Sequence, residues 1–500
     1  MRPFKTAQEW PVRQGVGSQS RNEVLAAWCI GYAAAVRTAV QGGQMSNTGC
    51  GRYGCLSLPA PTRRPTSLTT DSPCAPLTDD QLSEGQPMFE YDTYFSERIQ
   101  GIKDSGQYRT FTPIERLAGS FPQAIHHSPR GPREVTVWCS NDHLGMGQHP
   151  DVTAAMQEVL ERSGVAAGGS RNISGTTPHH LALEREVADL HHKQTALTFV
   201  TGYAANDAAL YVLGRMLPEC VYFSDRLNHA SMITAMRASG AERHIFEHND
   251  PDHLERLLRS VDPSRPKVVA FESIYSMDGD IAPMEALCAV AKRHNALVYV
   301  DEAHTVGMYG PQGAGLAAEL GIGDDVTLLM GTFAKGYGTA GGYLAGPTAI
   351  IDAVRSFAPA FIFTLAMPPA LAAAALTSVR HLRRSDEERR QLHDRAGTVK
   401  SRLSELGIPL VTDQSHIVPV LVGDAHKCKE LSRILLDEHA IYAQPINFPS
   451  VAHGTERLRI NPSPVHSPDQ VDHFVQALDR TWSALDLPRA DTPAPIRTAA

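Results

Sequence analysis

ALVYVDEAH, residues Ala296–His304, joins five apolar residues to two carboxylates and a histidine. A short run rich in Val, Leu and Tyr with no polar alternation reads as a strand buried on both faces. A carboxylate at the end of such a strand is costly to bury unless it meets a partner. Runs of the same kind recur along the chain: VTVWC (135–139), ALTFV (196–200), CVYFSD (220–225), KVVAFES (267–273) and DVTLLMGTF (325–333). Helical patterns separate them. HHLALEREVADLHH, His179–His192, has apolar residues at three- and four-residue spacing. This alternation predicts an α/β fold with a mostly parallel, doubly wound sheet covered by helices on both faces. Ligands of such folds bind beyond the carboxyl ends of the strands. The polar and glycine-rich segments SNDHLG (140–145), TGYAAN (201–206) and DEAH all fall there.

After about Ser385 the pattern shortens, with strand candidates SHIVPVLVG (415–423) and ERLRINPSP (456–464). The expected organisation is an N-terminal arm over 88–134, a large domain over 135–384, a smaller C-terminal α/β domain over 385–487 and a tail over 488–500. Residues 1–87 differ in kind. They are rich in Ser, Thr, Gly, Pro and Arg and hold no sustained period, so they read as a disordered extension. Three origins fit them: an upstream-start artefact with Met88 as true initiator, a transit peptide, or a regulatory tail.

The bulk numbers exclude several classes. The 500 residues carry 42% hydrophobic and 20% charged side chains and a net charge of −8. That is the profile of a soluble globular protein without the basic excess of a nucleic-acid binder. The best apolar run, VLAAWCIGYAAAV (24–36), is too short to span a bilayer. Eight cysteines show neither a C-x-x-C pair nor zinc spacing, so no metal is expected and the thiols read as reduced.

MGTFAKGYGTAGG, Met330–Gly342, places Lys335 among five glycines. A lysine becomes a carbonyl-attacking amine when desolvation or a nearby cation lowers its pKa, although a solvated loop lysine would look the same in isolation. Thr332, three residues earlier, could reach a phosphate. Asp301 could pair with a protonated pyridine nitrogen, or cap a helix. His304 could reach the ring's phenolic oxygen. His229, in SDRLNHASM after a strand, could stack on a flat ring or sit satisfied in the core. Thr201, Gly202 and Tyr203 lie where a strand gives way to a helix, where N–H groups can hold a phosphate. Lysine, carboxylate, stacking ring and phosphate cup together fit pyridoxal 5'-phosphate (PLP), with Lys335 as its Schiff-base amine.

From Phe89 to Trp482 the chain resembles the α-oxoamine synthases, a family of fold-type I PLP-dependent enzymes, and within it the 5-aminolevulinate synthases. The strings that carry the resemblance are YRTFTPIERLAGSFP, VTVWCSND, GGSRNISGT, LNHASMI, HNDPDHLERLL, VAFESIYSMDGDIAP, GTFAKGYGTAGGY, HIVPV and TERLRINPSP, in that order. The resemblance implies that glycine and succinyl-CoA are condensed to 5-aminolevulinate, CoA and carbon dioxide, with tetrapyrrole (heme) biosynthesis the default use of the product and a five-carbon unit of secondary metabolites the alternative. It makes Lys335 the catalytic lysine, which also removes a glycine α-proton. It gives Asp301, His304, His229, Ser276 and Thr332 to the cofactor, and Thr364 to its phosphate from the neighbouring subunit, with Leu365 where a hydroxyl residue normally follows. A homodimer with the site at its interface is thereby implied. Arg459 matches the partner of the glycine carboxylate. Arg109, Ser170, Asn172 and Ser450 match positions around the succinyl end, and Asn141, Ser224 and Arg243 further substrate contacts. His143 stands where tyrosine is usual, and Ser170 and Ser450 where threonine is usual. The alternatives are a sister synthase taking another amino acid or acyl-CoA, and a non-catalytic cofactor-binding regulator. The expected location is the cytoplasm, or the mitochondrial matrix if residues 1–87 are a transit peptide, with no nucleic-acid or membrane partner.

Overall fold

The computed structural model describes residues 89–490. The expectations for 1–87, and for the tail beyond 490, lie outside the described residues. Three sheets organise the described chain. The first begins with β1 (Ile114–Arg116), β2 (Gln123–Ser128) and β3 (Gly131–Val137). The second holds β4 (Thr195–Phe199), β5 (Val221–Asp225), β6 (Glu242–Phe246), β7 (Lys267–Glu272), β8 (Leu297–Asp301), β9 (Leu328–Thr332) and β10 (Gly342–Gly346). The third combines β11 (Val418–Leu421), β13 (Pro445–Ile446) and β14 (Arg457–Ile460), while β12 (Ile441–Tyr442) joins the first.

The seven-stranded sheet runs β4-β10-β9-β8-β7-β5-β6. Its β5–β6, β5–β7, β7–β8 and β8–β9 pairs are parallel, and β10 runs antiparallel to both of its neighbours. Successive side chains of a strand point to opposite faces. Val269 and Phe271 of β7, with Val298 and Val300 of β8, enter one hydrophobic cluster. Val268, Ala270 and Tyr299, between them in sequence, enter the other. Both faces are therefore buried, which explains the unbroken apolar runs. Burying a side chain such as Phe271 completely contributes about 1.5–3 kcal/mol.

The helix expected over 179–192 spans Pro178–Leu190. Thr177 and His180 form its capping box and Pro178 opens its first turn. It buries Leu183, Val187 and Leu190 along one stripe and ends before His192, whose φ is +52°.

Two parts of the sheet differ from expectation. VTVWC does not enter the central sheet. Its strand, β3, pairs antiparallel with β2 and parallel with β12, and Trp138 stacks on Phe474 at 4.3 Å beside the third sheet. An apolar run shows that a strand is buried, not which sheet buries it. Strand β10 is absent from the expected list because GYLAG resembles the glycine-rich loop before it. The described cysteines, Cys139, Cys220, Cys288 and Cys428, are all free thiols, and burial pushes Cys288 and Cys428 up to about 12. No helix among the described residues is long and apolar enough to cross a membrane.

Candidate active site

The carboxyl ends of β7, β8 and β9 open on a cavity of about 250 Å³. Asp301 closes β8 and is 4% exposed. Its Oδ1 accepts the Ala303 N–H at 2.9 Å, a local turn contact. Its Oδ2 accepts from Asn206 Nδ2 at 2.8 Å. Asn206 is held in turn, accepting from the Tyr299 hydroxyl at 2.6 Å and donating to Ser231 Oγ at 2.9 Å. The carboxylate is thus oriented from two sides and still lines the cavity. Glu272 lines it too, as the Cα partner of Asp301 on the adjacent strand. Burial, followed by the charge of Asp301, holds the Glu272 carboxyl well above the usual carboxylate range. Neither Asn206 nor Glu272 was singled out from sequence. The only signals are an amide one turn into an apolar helix and a second strand-end carboxylate.

Lys335 sits in the turn between β9 and β10. Burial brings its amine down to about 8; Asp301 and Glu272 pull it up and Arg459 pushes it down. The turn needs its glycines. Gly341 has φ +115°, a backbone that side chains rarely adopt, and a Cβ on Gly342 would lie 2.5 Å from Gly202 Cα. That contact brings the β9–β10 turn against the start of helix Gly202–Met216. Thr201 Oγ1 caps this helix by accepting from the Ala204 N–H at 3.0 Å. Gly202 and Tyr203, in the first turn, line the cavity, so this helix presents its N-terminal end there. Thr332 Oγ1 donates to the Gly341 carbonyl at 2.8 Å.

His229 lines the cavity with Nδ1 tied to Ser231 Oγ at 2.7 Å and its N–H donated to Glu272 at 2.6 Å. Burial lowers its pKa. His304 lines the cavity as well, and its buried Nδ1 has no partner among the described residues. Burial, then Lys335 and Arg459, holds it well below the ordinary imidazole value. Ser276 lines the cavity as well.

Arg459 reaches the cavity from β14 and is 7% exposed. Its Nη1 donates to Asn141 Oδ1 at 2.9 Å. Its Nε and Nη2 are buried without an acceptor among the described residues. Those two atoms form one edge of the guanidinium fork, the edge that takes a planar carboxylate bidentately. Burial brings the group down to about 10. Two residues earlier, Arg457 pairs with Asp278 at 2.8 Å, and Asn461 N–H bonds the Trp138 carbonyl at 2.7 Å.

The remaining sequence candidates lie elsewhere. Arg109 Nη2 donates to Ser450 Oγ at 3.0 Å in a separate cleft of about 240 Å³. Asn172 lines a third cleft of about 620 Å³, and Ser170 caps the turn Arg171–Gly175. Thr364 and Leu365 follow the short helix Pro359–Ile362, and Leu365 is exposed. Ser224 is fully buried, donating to the Asp225 carbonyl and accepting from Asn228. Arg243 donates to the Met236 and Ala241 carbonyls. None of these lines the cavity around Lys335.

The described residues fit PLP: an amine of lowered pKa, an oriented carboxylate, two imidazole rings and an open helix end share one small cavity. Comparison with known proteins agrees. A family model described as aminotransferase class I and II matches residues 133–478. The chain is 53% identical over 390 residues to 5-aminolevulinate synthase 2 of Cereibacter sphaeroides, covering 78% of this chain and 96% of that one. It is 51% identical over 401 residues to the 5-aminolevulinate synthase of Rhizobium meliloti, covering 80% and 99%. It is 47% identical over 410 residues to the mitochondrial 5-aminolevulinate synthase of Schizosaccharomyces pombe, covering 81% and 73%. Among solved structures it is similar to Sphingomonas wittichii serine palmitoyltransferase, with TM-score 0.74, 29% identity and coverage of 80% and 98%. A structure described as SPT with PLP internal aldimine matches with TM-score 0.73 and 31% identity over 79% and 98%.

Proposed function

Because the chain belongs to the 5-aminolevulinate synthase family, we propose a role in that reaction for each residue of the cavity. The activity is the PLP-dependent condensation of glycine with succinyl-CoA, giving 5-aminolevulinate, CoA and carbon dioxide. When bound, PLP supplies an imine-forming carbonyl and a ring that draws off the negative charge left at the glycine α-carbon.

The chain supplies the rest. Lys335, with its amine near 8, spends an appreciable fraction of time uncharged at neutral pH, so Nζ can attack a carbonyl and later take a proton. Asp301, fixed by Asn206 and the Ala303 N–H, holds the cofactor's ring nitrogen. His229 packs against the ring and His304 meets its oxygen. Gly202, Tyr203, Ser276 and Thr332 take the phosphate and the ring edge. Arg459 grips the glycine carboxylate. The observation that carries this reading is its free Nε–Nη2 edge, buried beside Lys335. The test is formation of aminolevulinate from glycine and succinyl-CoA by the purified protein. Arg459→Lys keeps the charge but loses the fork, and kcat/KM for glycine should fall about 10- to 100-fold at the worth of a charged hydrogen bond. No aminolevulinate from the parent, or an unchanged glycine KM in Arg459→Lys, overturns the reading.

The acyl end is assigned to Arg109 and Ser450, with Ser170 and Asn172 contributed by a second copy of the chain, which also brings Thr364 to the cofactor's phosphate. Two observations support a homodimer. Those three residues lie away from the cavity of their own chain, and Ile173, Phe363 and Leu365 beside them are exposed apolar side chains. A monomeric active enzyme in light scattering would refute it. We place the reaction in the cytoplasm, with the matrix as the alternative if residues 1–87 target the chain.

A further inference from the structure

Behind the cavity three histidines from three separate segments converge. His143 follows β3, His304 follows β8 and His416 precedes β11. All are buried: His143 and His416 have no exposure and His304 has 3%. One ligand nitrogen from each lies within 4.8 Å of the others. The His143 ring stands edge-on to His416 at 4.7 Å and to His304 at 5.9 Å. Both nitrogens of His143, Nδ1 of His304 and Nε2 of His416 lack a partner among the described residues.

Four buried, unpartnered imidazole nitrogens in one cluster require an explanation, because buried polar atoms are nearly always satisfied. The synthase reading accounts for a cavity-facing atom of His304 and leaves His143 and His416 without one. We propose that His143, His304 and His416 bind one divalent transition-metal ion of the zinc–nickel–copper class. Imidazole donors with no carboxylate among them suit these ions and exclude magnesium and calcium. A tetrahedral centre with bonds of about 2.0–2.1 Å sets its nitrogens roughly 3.4 Å apart, a spacing inside the 4.8 Å within which these three already lie. The Nδ1 of His416 meets the Tyr309 hydroxyl at 3.1 Å, which leaves Nε2 as its unpartnered nitrogen; metal-ligating histidines commonly carry such an outer hydrogen bond. Lys335 and Arg459 lie on the cavity side, so an ion enters against positive charge and binds more weakly than in a closed structural zinc site. Since His304 borders both spaces, the ion and the cofactor affect one another.

The test is equilibrium dialysis of the PLP-loaded protein against micromolar zinc, with bound metal counted by mass spectrometry and the cofactor's visible band recorded. His143→Phe, His143→Gln and His416→Phe are compared with the parent, each checked for folding by retention of the visible band. His381→Ala is the control, because His149, Asp151 and His381 form a more exposed cluster. The expected result is one equivalent in the parent and in His381→Ala, at least about tenfold weaker binding in the other three, and a zinc-induced change in the band that they lack. Undiminished binding in the His143 and His416 variants, loss confined to His381→Ala, or no binding at micromolar zinc each overturns the site. No substrate enters the measurement, so any of these results leaves the synthase reading standing.

Discussion

Glu272 and Asp301 are Cα partners on adjacent parallel strands, and both side chains face one buried cavity. Burial first, and then the neighbouring charge of Asp301, holds the Glu272 carboxyl well above the usual carboxylate range. Its folded-state pKa lies above its unfolded value. The contribution of this carboxyl to stability is therefore complete below about pH 4.5 and is lost as pH rises toward the raised value. Glu272→Gln keeps the shape without the charge. Its melting temperature relative to the parent should climb between pH 5 and 8; a difference flat with pH would show that Glu272 is not displaced.

Lys335 offers a pH signature of the opposite kind. Only the neutral amine attacks a carbonyl, and burial sets the group near 8. Uptake of PLP by protein stripped of cofactor should therefore accelerate with pH and level off above about 8. Lys335→Ala should lose the visible band and nearly all turnover. Near-normal activity in that variant would remove the lysine from the chemistry.

Asp301→Asn keeps the shape and removes the charge, its one amide oxygen replacing only one of the two acceptors that now meet Asn206 and the Ala303 N–H. Preorganised charge at a reacting centre contributes about 2.7–4 kcal/mol, so kcat should drop at least about 10²- to 10³-fold with the fold intact by circular dichroism. A variant within tenfold of the parent would make the carboxylate a structural turn residue.

Arg109 bonds Ser450 in a cleft of its own, where a distal carboxylate can be read separately from glycine. An arginine aimed at a carboxylate rejects a neutral chain by leaving its own charge unpaired. Arg109→Leu should collapse the preference for succinyl-CoA over butyryl-CoA. An unchanged ratio of kcat/KM values means the carboxylate is read elsewhere.

Much of this site was legible because its chemistry sits at strand ends. Asp301 and Lys335 each follow an apolar run, and the sheet brings such positions together whatever the details of its edges. Asn206 and Glu272 were not legible, since an amide in an apolar helix and a glutamate ending a strand signal nothing until the tertiary fold sets them beside Asp301. Strand β10 hid in a glycine-rich stretch, and VTVWC gave no sign of which sheet it joins. Ser170, Asn172 and Thr364 were found by resemblance; nothing in their spacing places them near Lys335, and within one chain they are not.

Strand β14 carries the consequence. Arg459 reaches Asn141 and the cavity, Arg457 holds Asp278, and Asn461 holds Trp138. Glycine has no side chain to grip, so its carboxylate is the natural handle for positioning it. If Arg459 takes that handle, as proposed, it does so from a strand bolted to two segments beyond its own sheet, and amide exchange along Arg457–Ile460 and the loop through Asp278 should slow together when glycine binds.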